Sequence, residues 1–313
     1  MNKGSISMRY HLLALALVAL PQTLTLATEP PPAKHVLVIG VDGLRPDALR
    51  KATTPNFDKL SQNGAVSYTC QILGTRYRKN DTISGPGWSS FLTGVWADKH
   101  GVHDNSFKGK QFGDFPHFFE RIKSQFPNYK TAHFVDWAPI DDHIVTHADY
   151  HNGYKAHQPT DLAAKDSAIA ADASKLIANK DYRAIVTYFG NCDSAGHGKG
   201  FHPSVPTYIS AIEAVDGHIG QLLTAIESRT NYKHEDWLIL LSADHGGKGT
   251  GHSSGHNVPE ILTTPFIVSG NNVLRGTIKE QVYVVDIPTT ALQHLGVVID
   301  TDWKLDGKVI GLK

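Results

Sequence analysis

The apolar residues fall into short continuous runs separated by longer stretches with helical spacing. The run over 35–41, His-Val-Leu-Val-Ile-Gly-Val, lacks polar alternation and predicts a strand buried on both faces. Further strands are predicted at 65–73, 131–135, 184–189, 237–242, 265–269 and 281–285. Between them, 162–178 and 207–228 combine helical periodicity with good helix formers. Another helix is bracketed by Pro55 at its first position and Gly64 beyond its last turn, with Phe57 and Leu60 facing inward. This alternation predicts an α/β fold, a largely parallel central sheet covered by helices. In such sheets chemistry gathers where strands end at their carboxyl edge.

Four segments place metal-competent side chains at such ends. Asp42 follows the first buried run, where it is also read as a turn former or cap. Asp193 and His197 are spaced so that a helix would put both on one face, while a loop would let both converge on one ion. Asp244 and His245 end the run 237–242, where adjacent buried polar groups are costly without a partner. The glycine-rich stretch 248–259 carries His252 and His256 and must start from that strand end. Ser84 precedes a predicted helical stretch over 88–93, so backbone donors and the helix dipole would favour an anion beside it; as a plain cap it would need no chemistry.

Order and spacing together resemble the type I phosphodiesterase and nucleotide pyrophosphatase branch of the alkaline phosphatase superfamily. The resemblance rests on Val-Asp42-Gly-Leu-Arg-Pro-Asp47, on Ser84 two residues before Pro86 and ten before Gly94 with His100-Gly101 following, on Asp193-x-x-x-His197, on Asp244-His245-Gly246, and on the closing Asp286-Ile-Pro288-Thr289 with Leu295-Gly296. Thr82 falls out of that register. The family implies an alkaline phosphatase-like sheet with helices on both faces and Ser84 as nucleophile, forming a phosphoseryl intermediate. It also implies two divalent ions, zinc before manganese, one on Asp193, His197 and His252 or His256, the other on Asp42, Asp244, His245 and Ser84. Family members carry Asn where this chain has Gly87, so another donor, a backbone N–H near Ser84 or Asn105, must meet the phosphoryl oxygen.

The family also frames the alternatives. A phosphomonoesterase or phosphonate hydrolase would differ only in the groups around the substrate: Arg76, Arg78 or Lys79 would suit a dianionic monoester, and Trp88, Tyr77 or Trp137 a diester. A sulfatase would place Arg where Trp88 stands, and a metal-binding protein without activity would have no use for Ser84.

Composition refines the picture. Lys plus Arg, 30, balance Asp plus Glu, 30, so no global charge draws the chain to nucleic acid or to an anionic membrane, and the partner read from the site is a small phosphate ester. Eighteen His among 313 residues supply many possible ligands. Lys3 and Arg9, the apolar run 12–20 and Thr25-Leu26-Ala27 read as a secretory signal over 1–27, leaving 28–313 as one exported domain, periplasmic or secreted, with no span after cleavage. Cys70 and Cys192 are read as buried free thiols, although export would permit a disulfide.

Overall fold

A computed structural model describes residues 1–4, 31–153 and 161–313. Chain contacts separate Met1–Pro31 from Pro32–Lys313. The apolar run and cleavage motif of the expected signal lie outside the described residues. No described helix is long and apolar enough to cross a membrane.

Eight strands form one sheet: β1 Ala33–Val41, β2 Gly64–Gln71, β3 Thr131–Val135, β4 Tyr150–Gly153, β5 Ala184–Phe189, β6 Glu235–Ser242, β7 Thr263–Gly270 and β8 Gly276–Thr277. Their order is β4-β3-β5-β1-β6-β7-β2-β8. All pairings are parallel except those of β7, which runs against β6 and β2. The helices are α1 Pro46–Leu49, α2 Pro55–Gln62, α3 Ser84–Thr93, α4 Ala97–His100, α5 Phe118–Gln125, α6 Leu162–Asn179, α7 Asn191–Lys199, α8 Pro206–Glu227, α9 Pro259–Leu262 and α10 Asp286–Leu295.

The unbroken apolarity of β1 follows from its place between β5 and β6, with a core on each face. Val36 and Val38 pack with Phe91 of α3, Phe119 of α5 and Leu292 of α10. Leu37, Ile39 and Val41 pack with Phe57 of α2, Ile169 of α6 and Ile219 of α8. Residues alternate between faces along a strand, so both must be apolar when both are covered. The parallel neighbours also end together: Val41 is level with Phe189, and Gly40 with Ser242. Three chain segments therefore leave the sheet side by side.

One expected strand is corrected. Over 281–285 the chain touches the sheet only through a bridge from Tyr283 to Gln71. Asp286 accepts the Tyr283 N–H at 2.8 Å and opens α10, so the run turns into a helix instead of extending a ladder. The apolar Val282, Val284 and Val285 still pack into the core, which is why their pattern reads as a strand.

His133 on β3 and His100 at the end of α4 are fully enclosed, and burial holds each imidazole down to about 3. An unfolded His titrates near 6.5, so the fold favours the neutral ring. That contribution is complete above about pH 6.5 and is lost as pH falls towards 3, at about 1.4 kcal/mol per pH unit for each ring. Buried carboxyls with raised pKa values work in the opposite sense, so the expected result is a difference: between pH 7 and 4 the urea midpoint of His133→Leu should fall less, or rise more, than that of wild type. Parallel pH profiles for the two proteins would mean that the His133 ring is charged in the fold.

Candidate functional site

The three segments leaving β1, β5 and β6 carry the acidic groups. Asp42 directly follows β1, and Asp244 with His245 lies two residues past β6. The segment after β5 is helical, so α7 holds Asp193 and His197 on one face, His197 Nε2 standing 3.4 Å from Asp193 Oδ2. Two backbone N–H groups at the start of α7, those of Gly190 and Asn191, are met by the buried carboxylate of Asp166 at 2.8 and 3.1 Å.

His252 arrives from the loop after β6, which is strapped to residues 81 and 82. Thr82 Oγ1 donates to the His252 carbonyl at 2.5 Å and accepts the Gly255 N–H at 2.8 Å, while Asp81 accepts the Ser254 N–H at 2.6 Å. Thr82, out of register for a nucleophile, is thus the anchor of the ligand loop.

Ser84 is the first residue of α3, 8 % exposed, with Oγ 3.2 Å from His245 Nε2. That nitrogen also lies 3.3 Å from both Asp42 Oδ1 and Asp244 Oδ2. Two donor groups result, Asp42–Asp244–His245 and Asp193–His245–His252, each with its ligand atoms within 4.8 Å of one another. His197 Nε2 joins the second group, 3.0 Å from His252 Nε2.

A single aromatic ring underlies the arrangement. Phe201 is fully buried and packs against Gly43, Gly196 and Gly247, where an added Cβ would come under 3.0 Å from it. Each of these glycines adjoins or lies near a metal-competent residue. The ring also presents its face or edge to His197 at 5.3 Å and to His252 at 6.0 Å between centroids. Buried Arg45 fastens the same region by donating to the carbonyls of Phe201 at 2.6 Å and Gly247 at 3.0 Å.

The electrostatics of the cluster suit a cation. Burial raises the carboxyls of Asp42 and Asp244, and burial with the nearby Asp42 pushes Asp193 up to about 9. Asp42 Oδ1, Asp193 Oδ1 and Asp244 Oδ2 are buried without a hydrogen-bond partner, a costly state for a carboxylate. The imidazoles point the same way. The Nδ1 atoms of His245, His252 and His197 lie 2.8, 3.1 and 2.8 Å from the carbonyls of Gly246, Thr82 and Thr250. A carbonyl only accepts, so the proton is assigned to each Nδ1 and the Nε2 lone pairs face inward. The His197 and His252 Nε2 atoms face each other at 3.0 Å, and burial holds the His252 ring down to about 3. Second-atom anchoring of this kind orients His for metal.

Other expectations fare differently. His256 stands outside the cluster, with Nε2 2.8 Å from the Asn80 carbonyl and its own carbonyl accepting from Arg78 at 2.8 Å. Arg76 is committed to Asp98 and Asp306. Trp88 is 1 % exposed and lies beneath Asp42, so it does not face substrate. Asn105 does reach the residue after Ser84: its Oδ1 accepts the Gly85 N–H at 2.6 Å. Cys70 and Cys192 are buried free thiols. Tyr188, whose hydroxyl donates to Asp42 at 2.8 Å, was not anticipated. Its signal was a phenol on a strand buried on both faces, which needs a partner for its O–H.

Comparison with known proteins places the chain among relatives of known family and fold. An uncharacterized pyrophosphatase/phosphodiesterase of Schizosaccharomyces pombe is 26% identical over 230 residues, 67% of this chain and 44% of the relative. The rat ectonucleotide pyrophosphatase/phosphodiesterase family member 7 is 23% identical over 264 residues, 75% of this chain and 55% of the relative. The chain thus spans about half the length of these curated relatives. Among solved structures, a 2-O GAG sulfatase superposes with a TM-score of 0.71 at 15% identity, covering 90% of this chain and 73% of its own. Murine ectonucleotide pyrophosphatase/phosphodiesterase 5, in an inactive form with AMP, gives 0.59 at 15% identity, covering 85% of this chain and 96% of its own. Both likenesses show the shared fold. The profile of the type I phosphodiesterase / nucleotide pyrophosphatase family matches residues 36–290, and the chain belongs to that family of hydrolases.

Proposed function

We propose that the chain is a metal-dependent phosphodiesterase that works through a phosphoseryl intermediate on Ser84. The observation that carries this reading is Ser84 Oγ lying 3.2 Å from His245 Nε2, inside a set of buried, unpaired carboxylate and imidazole donors. Divalent ions bound there would supply the positive charge that stabilises the attacking, non-bridging and leaving oxygens of an in-line displacement. Asp42, Asp244 and His245 would hold one ion next to Ser84; Asp193, His197 and His252 would hold the other.

Ser84 Oγ attacks phosphorus, the alcohol leaves, and water later attacks the phosphoserine to release Ser84. The start of α3 turns the Ser84 side chain towards the cluster and leaves first-turn N–H groups without helical partners. The Gly85 N–H is taken by Asn105 Oδ1 at 2.6 Å, which holds the Asn105 carboxamide at the start of α3, where its NH2 group would be the donor to a non-bridging oxygen. A diester fits better than a dianionic monoester, because Arg76 and Arg78 are engaged elsewhere. A sulfatase reading has the fold in its favour, but the position two after Pro86 is the buried Trp88.

Turnover of bis-p-nitrophenyl phosphate is expected to exceed that of p-nitrophenyl phosphate and p-nitrophenyl sulfate by at least ~10-fold, the selectivity about one mismatched charge can give. Chelation should abolish it and zinc or manganese restore it. Undiminished turnover in metal-stripped protein would overturn the reading.

A further inference from the structure

Asp42 stands apart from the other metal-competent carboxylates in how its two oxygens are treated. Oδ2 accepts two hydrogen bonds from buried aromatic side chains, the Trp88 Nε1–H at 3.1 Å and the Tyr188 O–H at 2.8 Å. Oδ1 accepts none, is buried, and lies 3.3 Å from His245 Nε2. The two rings brace each other edge to face at 5.0 Å between centroids, and Trp88 is held against the backbone of β1 at Gly40. A Cβ at Gly40 would stand 2.5 Å from the Trp88 ring, so the indole reaches Asp42 only because residue 40 has no side chain. Trp88 is also on the first turns of α3, the helix that begins with Ser84. Its neighbour Gly87 packs against Asp244, where a Cβ would meet the Asp244 carbonyl oxygen at 2.8 Å. The nucleophile's helix thus touches both carboxylates of one donor group.

We infer that Trp88 is a positioning residue of the centre: with Tyr188 it occupies Asp42 Oδ2, so that Asp42 offers only Oδ1 to the ion beside Ser84. A carboxylate with both oxygens free can bind one ion through two atoms or swing between two ions; one oxygen held by two donors fixes a single-atom ligand in one direction. This inference rests on the proposed metal-dependent function and concerns one of its two ion positions only.

The test uses the full chain stripped with chelator and titrated with Zn²⁺ against a chromophoric competitor, so it reads affinity and stoichiometry and not turnover. Wild type is expected to bind two ions. Trp88→Phe keeps an aromatic ring but removes the donor, and should weaken one of the two ions by roughly 10- to 100-fold, the usual effect of losing a partner of a metal ligand, while the other ion binds as in wild type and the smaller ring lowers the melting temperature of the stripped protein. Tyr188→Phe removes the second donor and should weaken the same ion, which keeps the test open if Trp88→Phe does not fold. Folded variants that bind both ions as wild type does would overturn the inference. Equal weakening of both ions would overturn it too, by showing a general packing role. Wild type that binds no ion would instead overturn the metal-dependent function itself.

Discussion

Ser84→Ala is expected to lower kcat/KM for a phosphodiester by at least ~10³-fold, since removing a covalent nucleophile leaves only binding and electrostatic stabilisation. The variant should still bind divalent metal, because the buried carboxylates and imidazoles around it are untouched. Two features make this the most exposed expectation. Thr82 and Ser89 lie within five residues of Ser84, yet the Thr82 hydroxyl is committed to the His252 carbonyl and the Ser89 hydroxyl to the Gly85 carbonyl at 2.6 Å. Neither can take over as nucleophile without breaking the ligand loop or the first turn of α3. Rapid acid quenching with labelled diester should also trap phosphate on the wild-type protein and none on Ser84→Ala. Full activity in the variant would mean water attacks directly and Ser84 is only the opening residue of its helix.

The second large effect separates two histidines four residues apart. His252→Ala is expected to weaken metal binding at the Asp193–His197 position by at least ~100-fold, as loss of a direct ligand exceeds the effect of losing an outer partner. It would also leave the His197 Nε2 and the Asp193 Oδ1 facing an empty corner. His256→Ala removes one hydrogen bond to the Asn80 carbonyl and should cost about 0.5–1.5 kcal/mol of stability with metal affinity unchanged. Zinc titration of the two variants side by side reads the difference. If His256→Ala lost the ion and His252→Ala kept it, the loop would have to fold back in a register different from the one Thr82 imposes.

Much of this was legible in the chain because its strongest signals are local. A run such as 35–41 cannot sit anywhere but between covered faces, and the Asp-x-x-x-His spacing becomes a pair on one face once α7 forms. The register counted from Gly94 to Ser84 is readable because α3 ends where Gly94 adopts a left-handed conformation, φ 78°, a fixed punctuation for the helix. What was not legible depends on contacts distant in sequence. The roles of Trp88 and Tyr188 arise from β1 lying beside β5, the choice between His252 and His256 from a strap to residues 81 and 82, and the loss of the strand at 281–285 from a side chain, Asp286, that opens a helix. An apolar pattern records burial; it does not record which neighbour does the burying.

The packing of three glycines on Phe201 bears on how this centre tolerates change over time. Segments that supply donors from β1, α7 and the end of β6 share one ring as their floor, so a side chain added at residue 43, 196 or 247 would displace the ring and disturb the other two segments with it. Drift at residues 196 and 247 is therefore concerted: a substitution survives only alongside a smaller residue at 201, and the shrunken floor then relaxes every donor at once, whereas at residue 43 the left-handed backbone, φ 68°, disfavours a side chain whatever stands at 201. Sequence change at the centre should proceed by paired steps, while the outer ends of the same helices vary one residue at a time.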